Sequence, residues 1–180
     1  MENTLASRII ITYGTGEAAT AVGAYHAALL DAGIAHYNFG RDPERCVVPK
    51  HSIITLMNPD QRSRLQELFP SGSALEVEIA RNYGTQPGRY PAGLGWYHNP
   101  TDTHGFLIRY MGVSHVNLED ESSVKELIRK GMQDVLTQEK KEWIESLFGY
   151  KAVSIRSAGK AVASVVAAIF LSEYQSKGLI

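Results

Sequence analysis

Cysteine is nearly absent from this chain. Cys46 is the one thiol in 180 residues, so no internal disulfide can form and no cysteine cluster can hold a metal. Charge of either sign is also not in excess. Lys and Arg number 18 and Asp and Glu 19, for a net charge of -1, which gives the chain no electrostatic pull toward nucleic acid or an anionic membrane. Long hydrophobic runs are missing too. The most apolar stretch, Ala161 to Leu171, is flanked by Lys160 and Glu173 and falls short of the ~20 residues a spanning helix needs. The N-terminal MENTLASRIIITYG lacks a basic segment followed by a long apolar one, so the expected location is the cytoplasm, with neither a nucleic-acid nor a membrane partner.

A composition of 44% hydrophobic and 21% charged residues suits one globular domain over 1–180. RIIITYG (Arg8 to Gly14) predicts a buried strand. Gly14 and Gly16 then read as a tight turn into a helix from Glu17, with Ala18, Val22, Tyr25, Leu29 and Ala32 on one stripe and Gly33 at C′. IAHYNF and SIITLM read as strands, and Asn58-Pro59 opens a short helix through DQRSRLQELF. ALEVEIARNYG alternates Leu75, Val77 and Ile79 against Glu76, Glu78 and Ala80, an antiparallel strand with one wet face. TQPGRYPAG reads as a loop, LGWYH and FLIRYMG as strands, and Glu121 to about Leu136 as a helix with Val124, Leu127, Ile128 and Val135 on one side. EKKEWIESLFG predicts a further helix, and KAVSIRSAG and AVASVVAAIFLSEY predict two closing strands. Strands and helices intermix without a βαβ repeat, so the class is mixed α/β (α+β) with substantial antiparallel pairing.

GTGEAA (Gly14 to Ala19) fits a dinucleotide-binding G-x-G-x-x-A, but that reading needs an acidic residue closing the next strand. Asn38 and Phe39 stand there instead, and a turn that simply requires glycine is the better account. The six histidines, His26, His36, His51, His98, His104 and His115, fall at no metal-ligand spacing with one another or with Cys46, so no metal site is expected. Cys46 beside Val47, Val48 and Pro49 is, by itself, more simply a small buried hydrophobe than a nucleophile.

The segments read in order change that balance. YGTGEAATAVGAYHAALLDAGIAHYNF followed by RCVVP, then GFLIRYMG, resembles the pyruvoyl-dependent arginine decarboxylases. Those proteins carry a Gly-rich turn, an A-F-x-x-A-L-x-x-A-G-I helix, a strand ending V-N-L, an S-S-x-x-P self-cleavage site and a G-L-I-M-E-Y-E-G strand. The resemblance implies a four-layer αββα sandwich with largely antiparallel sheets, assembled as a homotrimer or hexamer with sites between subunits. It implies a pyruvoyl group, made from the residue at the cleavage point, as electron sink for decarboxylating an amino-acid-like substrate. Cys46 stands at the cleaving serine and Asn38 at the processing asparagine. Arg109 falls at the glutamate that donates a proton, and His26 at the aspartate that receives the substrate guanidinium. Arg45, Gly33, Tyr37 and Val47 are placed around the substrate.

Three of these positions depart from the family's pattern. A thiol at Cys46 can make the same acyl shift as a serine, through a thioester. Histidine offers a guanidinium no carboxylate, and arginine is a poor general acid but a good carboxylate clamp. The expected function is a divergent pyruvoyl-dependent decarboxylase (a carboxy-lyase), self-processing at Arg45-Cys46, with a substrate shifted away from arginine. The alternatives are an unprocessed relative using Cys46, His26 and Arg109 for another reaction, or a non-catalytic small-molecule-binding relative.

Overall fold

A computed structural model describes residues 6–39, 46–99, 101, 104–111 and 120–179. In chain order its elements begin β1 (Ala6–Ala18), α1 (Ala21–Asp31), β2 (Asn38–Phe39), β3 (Cys46–Pro49), β4 (Ile53–Leu56), α2 (Pro59–Leu68) and β5 (Ala74–Gly84). They continue with β6 (Gly88–Tyr97), β7 (His104–Met111), α3 (Glu121–Gln138), β8 (Phe148–Ser157), β9 (Ala161–Ser172) and α4 (Glu173–Lys177). One sheet has the order β2-β5-β9-β1-β4 and the other β3-β7-β6-β8. Among the described residues only the β1–β4 and β2–β5 pairs are parallel.

Four layers result. Ala24, Ala28 and Leu29 of α1 and Leu65 of α2 pack on the outer face of the first sheet, against Ile10, Val165 and Ile169. Ile9, Ile11, Val48, Leu94, Leu107 and Phe170 fill the gap between the sheets. Val124, Ile128, Met132 and Leu136 lay α3 on the far face of the second sheet. The expected αββα sandwich is therefore the fold. β9, next to β1 and β5 in the first sheet, is covered on both faces, and every residue from Ala161 to Leu171 is buried. That double burial is why its sequence is apolar without alternation.

The glycine-rich stretch does not turn. β1 runs straight through Gly14 and Gly16 to Ala18, and α1 starts only after the N-cap Thr20. A Cβ on Gly14 would stand 2.3 Å from the Ala28 carbonyl oxygen, and one on Gly16 2.4 Å from that of Ala24. These glycines let helix and strand backbones touch; they do not reverse the chain. Gly33 does occupy C′ with φ 77, and Gly33 N–H and Ile34 N–H bond the carbonyls of Leu30 and Leu29 to close α1.

Three further expectations are corrected. IAHYNF pairs as a strand only at Asn38–Phe39, the residues before it forming turns. TQPGRYPAG is mostly β6; Pro91 pairs with Ser154 of β8, and its carbonyl accepts from Asn82. EKKEWIESLFG is not a helix beyond one 3-10 turn at Glu145–Leu147. Lys140, at φ 56, ends α3, and Trp143 then turns inward to lie 5.6 Å from Tyr97 and 5.2 Å from Phe148. Among the described residues no helix is long and apolar enough to cross a membrane.

Candidate functional site

β2 and β3 are short, yet they are held by different sheets. Asn38 and Phe39 pair in parallel with Ala74 and Leu75 of β5, in the first sheet. Cys46 to Pro49 pair antiparallel with Leu107 to His104 of β7, in the second. The chain therefore changes sheets between positions 39 and 46. Arg45 and the GRDPER segment around it lie outside the described residues.

The backbone of Cys46 opens β3 opposite Leu107. Two residues further along β7 is Arg109, which alternation sets on the same side of the strand as Leu107. That side faces the first sheet, since Leu107 belongs to the cluster filling the gap. Arg109 Nη1 lies 3.3 Å from Glu78 Oε1, with the side chains 11% and 2% exposed. β5 thus does not have the wet face that its alternation suggests. Leu75, Val77 and Ile79 pack toward α1, while Glu78, Ala80 and Asn82 are buried toward the second sheet. The resemblance expects a carboxylate at 109; a carboxylate is present across the gap, carried by β5.

Asn38 is exposed and donates from Nδ2 to the Gly72 carbonyl at 2.7 Å, while its backbone N–H bonds that of Ser73. His26 lies on the exposed side of α1, away from Ala24 and Ala28. It stands in a different layer from Arg109, because α1 covers the outer face of the first sheet and β7 belongs to the second. Tyr37 is buried in the α1-side core, and burial pushes its phenol above the usual range, so it stays protonated. Gly33 meets the Arg62 side chain. Val47 is 49% exposed on β3. One chain brings Cys46 and Arg109 to neighbouring strands and leaves His26 and Tyr37 elsewhere.

Glu78 was not legible as a site residue. Its one signal is an acid inside a run whose neighbours, Val77 and Ile79, are strongly apolar, and the alternating pattern explains that acid as solvent-facing.

A family model described as "Pyruvoyl-dependent arginine decarboxylase (PvlArgDC)" matches residues 8–176. Two curated relatives, each called pyruvoyl-dependent arginine decarboxylase and coming from two strains of Halobacterium salinarum, are 36% identical over 89 residues. That match covers 49% of this chain and 51% of each relative, so the chain spans about half the length of the curated relatives it matches.

Proposed function

This chain belongs to the pyruvoyl-dependent arginine decarboxylase family, and from that premise we propose that it is a self-processing, pyruvoyl-dependent amino-acid carboxy-lyase whose substrate is not arginine. The observation that carries the reading is the double anchorage around the cut. Among the described residues, a break between Arg45 and Cys46 falls between two paired strands, β2 on β5 before it and β3 on β7 after it. The N-terminal piece also keeps β1 in its long pairing with β9. Cleavage is therefore compatible with an intact sandwich.

The side chain at 46 suits the chemistry. Cys46 Sγ attacks the Arg45 carbonyl carbon, the C–N bond breaks, and the freed amine of residue 46 takes the proton. Loss of the sulfur by β-elimination, followed by hydrolysis with release of ammonia, leaves a keto group at residue 46 and a thiocarboxylate on Arg45. The pyruvoyl group so made supplies an electron sink for loss of carbon dioxide from an amine-bearing substrate. β3 would hold it, through the pairing of Val47 to Pro49 with β7.

Selection against arginine rests on His26, which offers no carboxylate to a guanidinium. A site using both His26 and Arg109 draws them from different layers, which favours a homotrimer or hexamer with sites between copies of a single 1–180 domain. The test is carbon dioxide release from a panel of amino acids, with borohydride and an amine as a trap at residue 46. Acidic or neutral amino acids are expected to outperform arginine, and arginine as the best substrate would refute this reading of His26.

A further inference from the structure

Residue 46 opens a short strand. β3 is four residues long and, among the described residues, pairs with β7 alone. Val48 anchors its middle in the gap between the sheets, and its last pair is Pro49 with His104. The chain then crosses to the first sheet, where β4 begins at Ile53. The link that makes this crossing, Lys50 to Ser52, is bent sharply. His51 takes a left-handed backbone at φ 64, and Ser52 N–H bonds the Pro49 carbonyl at 3.2 Å. A non-glycine residue persists in that conformation only where its surroundings enforce it.

The surroundings supply a directed contact. His98, the residue after β6, has Nε2 2.9 Å from the Ser52 carbonyl oxygen, and the two residues are buried, at 9% and 2% exposure. A carbonyl can only accept, so the imidazole carries a hydrogen on Nε2 and donates it. The ring is placed in turn by its own backbone, whose N–H bonds the Leu147 carbonyl at 3.2 Å. β6 lies beyond β7 in the second sheet, so this bond ties the link after β3 to the end of a strand with which β3 does not pair. A buried imidazole is penalised unless its nitrogens are met, and here one of them is met by the backbone that closes the β3 turn.

We propose that His98 is a positioning residue for position 46: by holding the Ser52 carbonyl it keeps β3 in register on β7, with residue 46 opposite Leu107. Once the bond before residue 46 breaks, nothing covalent precedes it, and the ladder and the link that follow must fix its place. The inference rests on the proposed function for the importance of residue 46, but the hold on β3 can be measured in a chain that never splits. His98 acts through the backbone and takes no part in the chemistry.

The experiment compares the wild type with His98→Asn and His98→Gln. Glutamine can bring its amide nitrogen to where the imidazole Nε2 stands, while asparagine is shorter and brings its amide nearer the other ring nitrogen. The pair thus separates the Ser52 contact from the ring's other contacts. Amide hydrogen exchange is read by mass spectrometry on 47–56, with the buried 161–171 of β9 as internal reference. His98→Asn is expected to speed exchange in 47–56 roughly tenfold and to leave 161–171 unchanged, and His98→Gln to return 47–56 toward the wild type. Splitting before residue 46, followed by denatured mass, should slow by a similar factor in His98→Asn and recover in His98→Gln. If His98→Asn does not fold, His98→Met, of glutamine's length but without a donor, takes its place with the same expectations.

Unchanged exchange in 47–56, equal losses in 47–56 and 161–171, or no recovery in His98→Gln overturns the proposal. Faster exchange in 47–56 combined with splitting at the wild-type rate overturns it as well. If the wild type never splits but the exchange pattern is as expected, the proposed function fails and the hold of His98 on β3 stands.

Discussion

The two faces of the first sheet do different work. Toward α1 the sheet presents Ile10, Val77, Ile79, Val165 and Ile169, with Gly14 and Gly16 admitting the helix at backbone contact. Toward the second sheet it presents an apolar field interrupted by aimed polar groups. Asn82 Nδ2 donates to the Pro91 carbonyl at 3.1 Å, Ser164 Oγ to the Tyr90 carbonyl at 2.6 Å, and Glu78 receives Arg109. The first face is held mainly by shape and area, which tolerate repacking, with Thr12 Oγ1 donating to the Ala32 carbonyl at 2.6 Å as a directed contact. The second is held by groups that must meet particular partners, because a buried donor or charge without one is penalised. The face with more of these directed contacts is also the one that Val48 of β3 packs toward, on the strand that opens at the residue proposed to react.

That contrast can be broken from either side. The largest effect is expected on the helix-facing side from Gly14→Val, where the new side chain meets the α1 backbone instead of a movable side chain. A loss of about 3 kcal/mol or more is predicted, measured by urea unfolding. Ile169→Ala, a fully buried position on the same face, should cost about 2–5 kcal/mol through its cavity. On the other face Asn82→Ala, which leaves the Pro91 carbonyl without that donor, should cost about 1–3 kcal/mol. Asn82→Ala costing more than Ile169→Ala would contradict the division of labour between the faces.

The smallest effect lies beyond both, at the start of α3. Asp120 caps Ser123 N–H at 2.8 Å. The backbone and side-chain bonds from Ser123 hold its carboxyl below the usual carboxylate range. A depressed folded-state value stabilises the protein above the unfolded value, and that contribution is lost as pH falls through the folded one. Melting curves of wild type and Asp120→Asn should therefore differ slightly at neutral pH and converge below about pH 4.

Legibility in the sequence followed the same division. Ala74–Gly84 and Glu121–Gln138 were read almost to the residue, since alternation and a 3.6-residue stripe are local signals. Gly14 and Gly16 mislead because a glycine that admits a helix looks the same in sequence as one that turns a chain. The 139–149 segment has helical composition, and only its packing, with Trp143 bonded to Glu145 and Glu145 paired to Arg129, shows why it is not a helix. Cys46 and Arg109 stand out only through resemblance. Glu78 does not, because its burial depends on a second sheet whose approach no local pattern encodes.

The central claim is that the bond before Cys46 breaks while the sandwich persists. The most direct measurement is intact mass of the purified chain after incubation, taken once under native conditions and once denatured. The account predicts one particle with the mass of an intact assembly in the native spectrum, and two pieces, 1–45 and 46–180, with residue 46 no longer a cysteine, in the denatured one. A denatured spectrum holding only the unbroken 180-residue chain with its thiol intact would contradict it.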